Sequence, residues 1–378
     1  MVIVRIYILL IFLITSFFPI FGQERRIPII YSTDLYHPPQ DPDDHYDLAL
    51  LACLPELEVK AVVFDQATFW RGPEEVGIAA LEQMAVISGR AIPPQALGLR
   101  EPLNSTSDKA QDQPEEYQKG VDLILRTLKE SEQKVMMFLV GSCRDFAAAF
   151  NRAPELFREK VSSIYVNAGN GPDGLQTEWN VKLDPYAYVC LIESGLPIYW
   201  CPCFSEYRLS TPQEVIEKKA FNTYFIIPDQ TKLLEHAPLD LKNFFDYALN
   251  ESTEEPIGFL KNNIPQISST PRNMWCTAPF LHAAGRKIYH ADDGYIAYQN
   301  NLAEQLGPRG KEVEVYTFEP ISVCQEKMQT DDFMGKEVAV PLFVKKEQTL
   351  APSLQIFRYT NPAFNTIMTS IVSNLFEQ

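Results

Sequence analysis

Positive charge is what this chain is short of. Its 33 Lys and Arg face 49 Asp and Glu, a formal charge of −16 at pH 7, which argues against the basic face that nucleic-acid binding uses and against adhesion to an anionic membrane. Cysteine is present without forming a framework, because seven residues at wide spacing make no paired disulfide pattern. Cys201 and Cys203, one residue apart, lack the further nearby ligands that a zinc site needs, leaving buried free thiols or one local bridge. No internal repeat and no low-complexity segment is present. The apolar run from Ile6 to Phe21 follows Arg5, precedes Gly22 and Gln23, and is interrupted by Thr15, Ser16 and Pro19. It reads as a cleaved secretory leader over residues 1–22 rather than a membrane span. The expectation is an exported protein, periplasmic or extracellular, with no stable membrane anchor after cleavage.

What the chain does have is an acidic loop between two apolar runs. Ile27, Ile29, Ile30 and Tyr31 suit a buried strand, and Pro28 at its start costs little pairing. Leu48 to Leu54 reads as a helix with Asp43 and Asp44 near its positive end, and Val59 to Phe64 reads as a second buried strand. Strand, loop, helix and strand make a βαβ unit, and its loop lies where open α/β sheets bind ligands. Asp34, Asp41, Asp43 and Asp44 crowd that loop, with Asp47 one turn on. Two readings fit this spacing: a hard, oxygen-liganded cation such as Ca²⁺ or Mg²⁺, or a helix cap followed by a solvated acidic turn.

The stretch DDHYDLALLACLPELEV from Asp43, with Ser32, Thr33 and Asp34 upstream, resembles the first motif of the inosine-uridine-preferring nucleoside hydrolases. The loop here is longer and has no glycine. TEWNVKLDPYAYVCLIESGLPIYW, residues 177 to 200, resembles a second motif series of that family, and GSCRD, residues 141 to 145, resembles its Gly-Pro-Leu-Thr-Asn turn. The resemblance runs from about residue 27 to 286. It implies a Ca²⁺ site drawn from Asp34 or Asp41 with Asp44, the carbonyl of Arg144 and the position of Thr277. It also implies proton acceptance by Asp34, Asp41 or Asp43, and ribosyl contacts from Asp43, Asn170, Glu178 and Asn180. Glu178 and Asn180 offer acceptor and donor groups two residues apart, which suits sugar hydroxyls. Asp184-Pro185 is a helix start in its own right.

One departure stands out. Cys276 and Thr277 occupy the place of the family's leaving-group histidine and calcium aspartate, and His282 reads as a helix-face residue rather than a replacement acid. The expected architecture is an open, mostly parallel α/β sheet flanked by helices over residues 23–306. A C-terminal extension, 307–378, carries alternating patterns at VEVYTFEPI and VAVPLFV that suit strands on the core or a small β appendage. The expected activity is calcium-dependent hydrolysis of N-ribosyl bonds in a small-molecule substrate, the alternative being a non-catalytic sugar- or nucleoside-binding protein. A homo-oligomer is compatible with this reading.

Overall fold

The computed structural model describes residues 26–35, 42–66, 74–172, 178–205, 211–291, 294–299, 310–331, 337–345 and 353–378. The expected leader, 1–22, and Asp41 lie outside the described residues. β1 (Ile27–Thr33), β2 (Leu57–Phe64), β3 (Gln95–Leu97), β4 (Val135–Leu139), β5 (Val161–Val166) and β6 (Ile198–Trp200) join two later strands in one eight-stranded sheet. The six stand in the order β3-β2-β1-β4-β5-β6, all parallel. Strand order therefore reverses between β1 and β4, which makes that edge the switch point where such sheets open a crevice.

Sequence explains β1. Ile29 and Tyr31 enter the apolar cluster on one face and Ile30 enters the cluster on the other, so burial on both sides requires an uninterrupted apolar run. Pro28 is harmless because pairing with β4 begins only at Ile29. At the carboxyl edge the neighbours are pinned in a row: the amides of Asp65, Val140 and Asn167 donate to the last carbonyls of adjacent strands at Thr33, Ser32 and Leu139. Any polar side chain just past a strand end is thereby held on a fixed backbone.

The C-terminal segment finishes this sheet. Leu354–Tyr359 pairs parallel with β6, and Tyr316–Pro320 pairs antiparallel outside it. The hairpin of Val323–Asp331 and Glu337–Lys345 lies against the body through Phe343, which meets Tyr188 and Trp200 edge-on. The last helix, Phe364–Phe376, buries seven residues, and Phe376 packs on Tyr46 and Phe245. Strands were expected here, and the helix behind them gives the extension its own share of the core. None of the seven cysteines forms a disulfide among the described residues. No helix among the described residues is long and apolar enough to cross a membrane.

His282 lies among Tyr199, Phe318 and Tyr165, with Nδ1 2.7 Å from the Tyr165 hydroxyl. Burial pushes its imidazole down to about 4. A histidine held neutral in the fold but free to charge when unfolded lends stability above its unfolded pKa, and that stability drains away as pH falls toward 4. Replacing it by glutamine should flatten the loss between about pH 6.5 and pH 4 by on the order of 1–2 kcal/mol. Denaturant titrations at several pH values check this, and an unchanged slope would count against a buried neutral imidazole.

Candidate functional site

The helix Asp43–Ala52 opens at Pro42 without a side-chain cap, so its first-turn carboxylates Asp43 and Asp44 meet the positive end of the backbone dipole directly. Asp47 follows one turn later, and one oxygen from each of the three lies within 4.8 Å of the others. Asp44 is tied to the end of β1 from two sides. The Asp34 amide donates to its Oδ2 at 3.0 Å, and the Tyr31 hydroxyl donates to its Oδ1 at 3.4 Å. Burial, followed by the charges of Asp34, Asp43 and Asp47, holds the Asp44 carboxyl well above the usual carboxylate range. Such a crowd is relieved by protons or by a divalent cation. The donors are carboxylate oxygens that reach one another across less than 5 Å, a set that fits a hard ion such as Ca²⁺.

Across from this helix stand Cys276 and Thr277. Cys276 precedes the helix Thr277–Ala283; its thiol feels the charge of Asp47 and donates to Asn167 Oδ1 at 3.7 Å. Burial first, and the aspartates second, keep that thiol protonated. The Thr277 hydroxyl is buried with no hydrogen-bond partner among the described residues. Beside them Phe204, Tyr224 and Trp275 form a ring trio with centroids 5.5 to 5.9 Å apart, and Trp275 Nε1 donates to the Cys203 carbonyl at 2.9 Å. Phe204 is 43% exposed, so the trio offers an open aromatic face.

Glu178 and Asn180 sit at the same edge, committed to backbone. Glu178 caps the helix Trp179–Leu183, accepting from the Asn180 amide at 2.9 Å and from the Gly169 amide at 2.8 Å. Gly169 has φ +81°, and a Cβ there would lie 2.5 Å from the Tyr188 hydroxyl, so the loop admits only glycine. Asn180 Nδ2 donates to the carbonyls of Val140 and Asn167, both at 3.0 Å, joining the ends of β4 and β5. Asn170 lies further out, bridged to Phe204. Asn167, not singled out from sequence, is the asparagine in contact with Cys276; its Nδ2 donates to the Cys201 carbonyl at 2.8 Å. The signal for it was its place directly after a buried strand.

The turn after β4 also gives Arg144 a side-chain role. Arg144, expected to offer a carbonyl to the ion, starts the helix Arg144–Arg152, and its side chain is 1% exposed. Nε donates to Asp184 Oδ2 at 3.1 Å, Nη1 to the carbonyls of Gln66, Leu99 and Arg100, and Nη2 to that of Leu183. Just before this turn the Val140 carbonyl accepts from Asn180. Asp184 caps Pro185–Glu193 as its sequence suggests, and also accepts from the Leu103 amide. Next to this brace Asp65 accepts from the Ser142 amide and hydroxyl at 2.6 and 2.7 Å, fastening the end of β2 to that of β4.

Breaking a buried pair leaves an uncompensated charge, so Arg144→Met should cost about 3–5 kcal/mol. Adding Asp184→Asn should recover part of it. Chemical denaturation of both variants reads the difference, and no recovery would mean that the carbonyl contacts alone carry the brace.

Comparison with known proteins bears on the same stretch. Residues 29–258, more than half of the chain, match the family model described as inosine-uridine preferring nucleoside hydrolase. Over 191 residues the chain is 29% identical to the pyrimidine-specific ribonucleoside hydrolase RihA of Enterobacter sp. (strain 638), covering 46% of this chain and 58% of that protein. RihA of Citrobacter koseri is 27% identical with the same coverage. The chain thus spans a little over half the length of the curated relatives it matches. In fold, the crystal structure of the inosine-uridine preferring nucleoside hydrolase from Bacillus anthracis aligns at a TM-score of 0.50 and 13% identity, covering 93% of this chain and 99% of that one.

Proposed function

The chain belongs to the inosine-uridine preferring nucleoside hydrolase family, and from that premise we propose that it hydrolyses the N-glycosidic bond of ribonucleosides or related N-ribosyl compounds at the acidic cleft beyond β1, with Ca²⁺ as its ion. The observation that carries the reading is the meeting of Asp43, Asp44 and Asp47 at the sheet's switch point.

Asp44 would hold the ion together with Asp34 or Asp41, with the Thr277 hydroxyl as a neutral donor. When bound, Ca²⁺ would orient a water and the ribose diol and make that water more acidic. Asp43, half-buried in the first helical turn, is suited to take the water's proton. The C–N bond breaks with its electron pair passing to the base nitrogen, and water supplies the hydroxyl that completes the sugar. Glu178 and Asn180, through their ties to Gly169, Val140 and Asn167, keep the strand ends that frame the ribosyl group in register. The exposed face of Phe204 with Tyr224 and Trp275 suits a flat aromatic leaving group. Cys276 is a weak acid in its setting, so this reading favours substrates whose base departs readily.

Release of reducing sugar from a ribonucleoside panel, with Ca²⁺ and with chelator, tests the proposal. Turnover should require Ca²⁺ and fall at least about a hundredfold in Asp44→Ala. Ca²⁺ at 100 times its Kd should also raise stability by about 2.7 kcal/mol. Binding of a nucleoside without release would instead favour a sugar- or nucleoside-binding protein, and absence of both would sink the reading. We also propose export, supported by the Arg5 and Ile6–Phe21 pattern; N-terminal sequencing of the secreted protein should then begin at Gln23, and a retained leader would refute it.

A further inference from the structure

The opposite end of the sheet holds a cavity of about 740 Å³ that shares no residue with the acidic cleft. It lies where β2 begins, between the second half of the helix Asp43–Ala52 and the end of the helix Glu74–Ser88, closed by the loop that follows Gly89. Leu51, Val59, Leu81 and Met84 give it apolar walls. Its volume falls within the range of small-molecule sites.

The charge at its mouth runs against that of the chain. Arg26, Lys60, Glu58 and Arg90 line it, in a protein of formal charge −16. Lys60 and Glu58 neutralise each other at 2.8 Å, and nearby Glu56 is taken by Arg286 at 2.9 Å. Arg26 and Arg90 form neither a hydrogen bond nor an ion pair within 4 Å among the described residues. They act on each other instead: burial first and the charge of Arg26 second draw the Arg90 guanidinium below its ordinary range, against the weaker pull of Cys53, Glu56 and Glu58. Two repelling guanidiniums beside apolar walls are stabilised by an anion, and their planar forks match a carboxylate.

We propose that this cavity is a binding site for an amphipathic carboxylate, its head between Arg26 and Arg90 and its apolar body along Leu51, Val59, Leu81 and Met84. The cavity's volume of about 740 Å³ leaves room for an aliphatic body, and dodecanoate below its micelle threshold is the probe.

Calorimetric titration of the full-length chain with dodecanoate should give saturable, one-to-one binding. Arg26→Ala combined with Arg90→Ala should weaken it at least tenfold, whereas Arg26→Lys combined with Arg90→Lys should keep most of it. Arg26 is exposed and Arg90 half-buried, and an unchanged thermal midpoint confirms that the alanine variant folds. Leu81→Trp, which fills the apolar wall, should abolish binding without touching the charges. Dodecanol binding as tightly as dodecanoate would overturn the role of the arginines, and inorganic phosphate competing at equal concentration would overturn that of the apolar body. No saturable binding would overturn the site. None of these outcomes depends on nucleoside hydrolysis, so this proposal and the catalytic one fail separately.

Discussion

Carboxylates gathered at the end of one strand repel one another, and the local structure is arranged to hold them in spite of it. Asp34, Asp43 and Asp47 each push the Asp44 carboxyl toward its protonated form. The field reaches further, since Asp34 also acts on Asp65 after β2 and on Glu178 after β5. Backbone amides supply much of the relief: Asp34 gives one to Asp44, Ser142 one to Asp65, and Gly169, Asn180 and Val181 give theirs to Glu178. Fixed N–H dipoles of this kind stabilise the carboxylates without any reorganisation. The parallel sheet is the part that cannot yield, because its strands are buried on both faces.

The brace behind the site obeys a different rule. Arg144 bonds through all three of its guanidinium nitrogens, to one carboxylate and four carbonyls, and so replaces much of the water it has lost. Asp145 beside it has no such partner. Burial, then the charge of Asp65, raises it to about 7, although it accepts from the Leu99 amide at 2.9 Å. A carboxyl raised in this way adds stability at acid pH that is lost as pH rises through about 7, so near neutrality the brace is under electrostatic tension. Gly98 is part of the same fit, since a Cβ there would overlap the Asp145 carboxylate. Strain of this sort next to a pocket is tolerated when the surroundings over-determine the geometry.

Much of this was legible in the residues. The run from Ile27 to Tyr31 could hardly be anything but a doubly buried strand, and the aspartates before Leu48 had to meet a helix start. The sequence reading began that helix at Leu48, five residues late, because carboxylates in a first turn look like loop until the dipole they face is taken into account. Asn167 and Val140 were hidden for another reason. One acts through an amide that meets groups from β6 and the region of Thr223, the other through a carbonyl, and neither partner is near in the chain. Arg144 was read by its place in a motif, where a backbone role is indifferent to the side chain, yet it is the side chain that ties the loops after β2 and β3 to the start of Pro185–Glu193. Tyr316–Pro320 gave its strand character away by the alternation of VEVYTFEPI, but its place beside Leu354–Tyr359 depends on a register that no local pattern encodes.

Cys276 and Thr277 bear on the balance with which the site begins. A neutral thiol and a neutral hydroxyl stand where the resemblance would put an ionisable imidazole and one more carboxylate. With a further aspartate, burial at this edge would be harder to sustain without a cation; with threonine, the ion-free cleft carries one negative charge fewer and its aspartates can share protons among themselves. The same change would remove Coulombic attraction for a cation, so a fold more tolerant of an empty site would hold an ion less tightly. The thiol adds a second effect. Kept protonated by burial and the nearby aspartates and donating to Asn167, it helps hold that side chain without offering a strong acid at this position. On the proposed reading, the departure from the family pattern would lower the cost of the apo state and the power of the site together, since both follow from removing charge at one helix start.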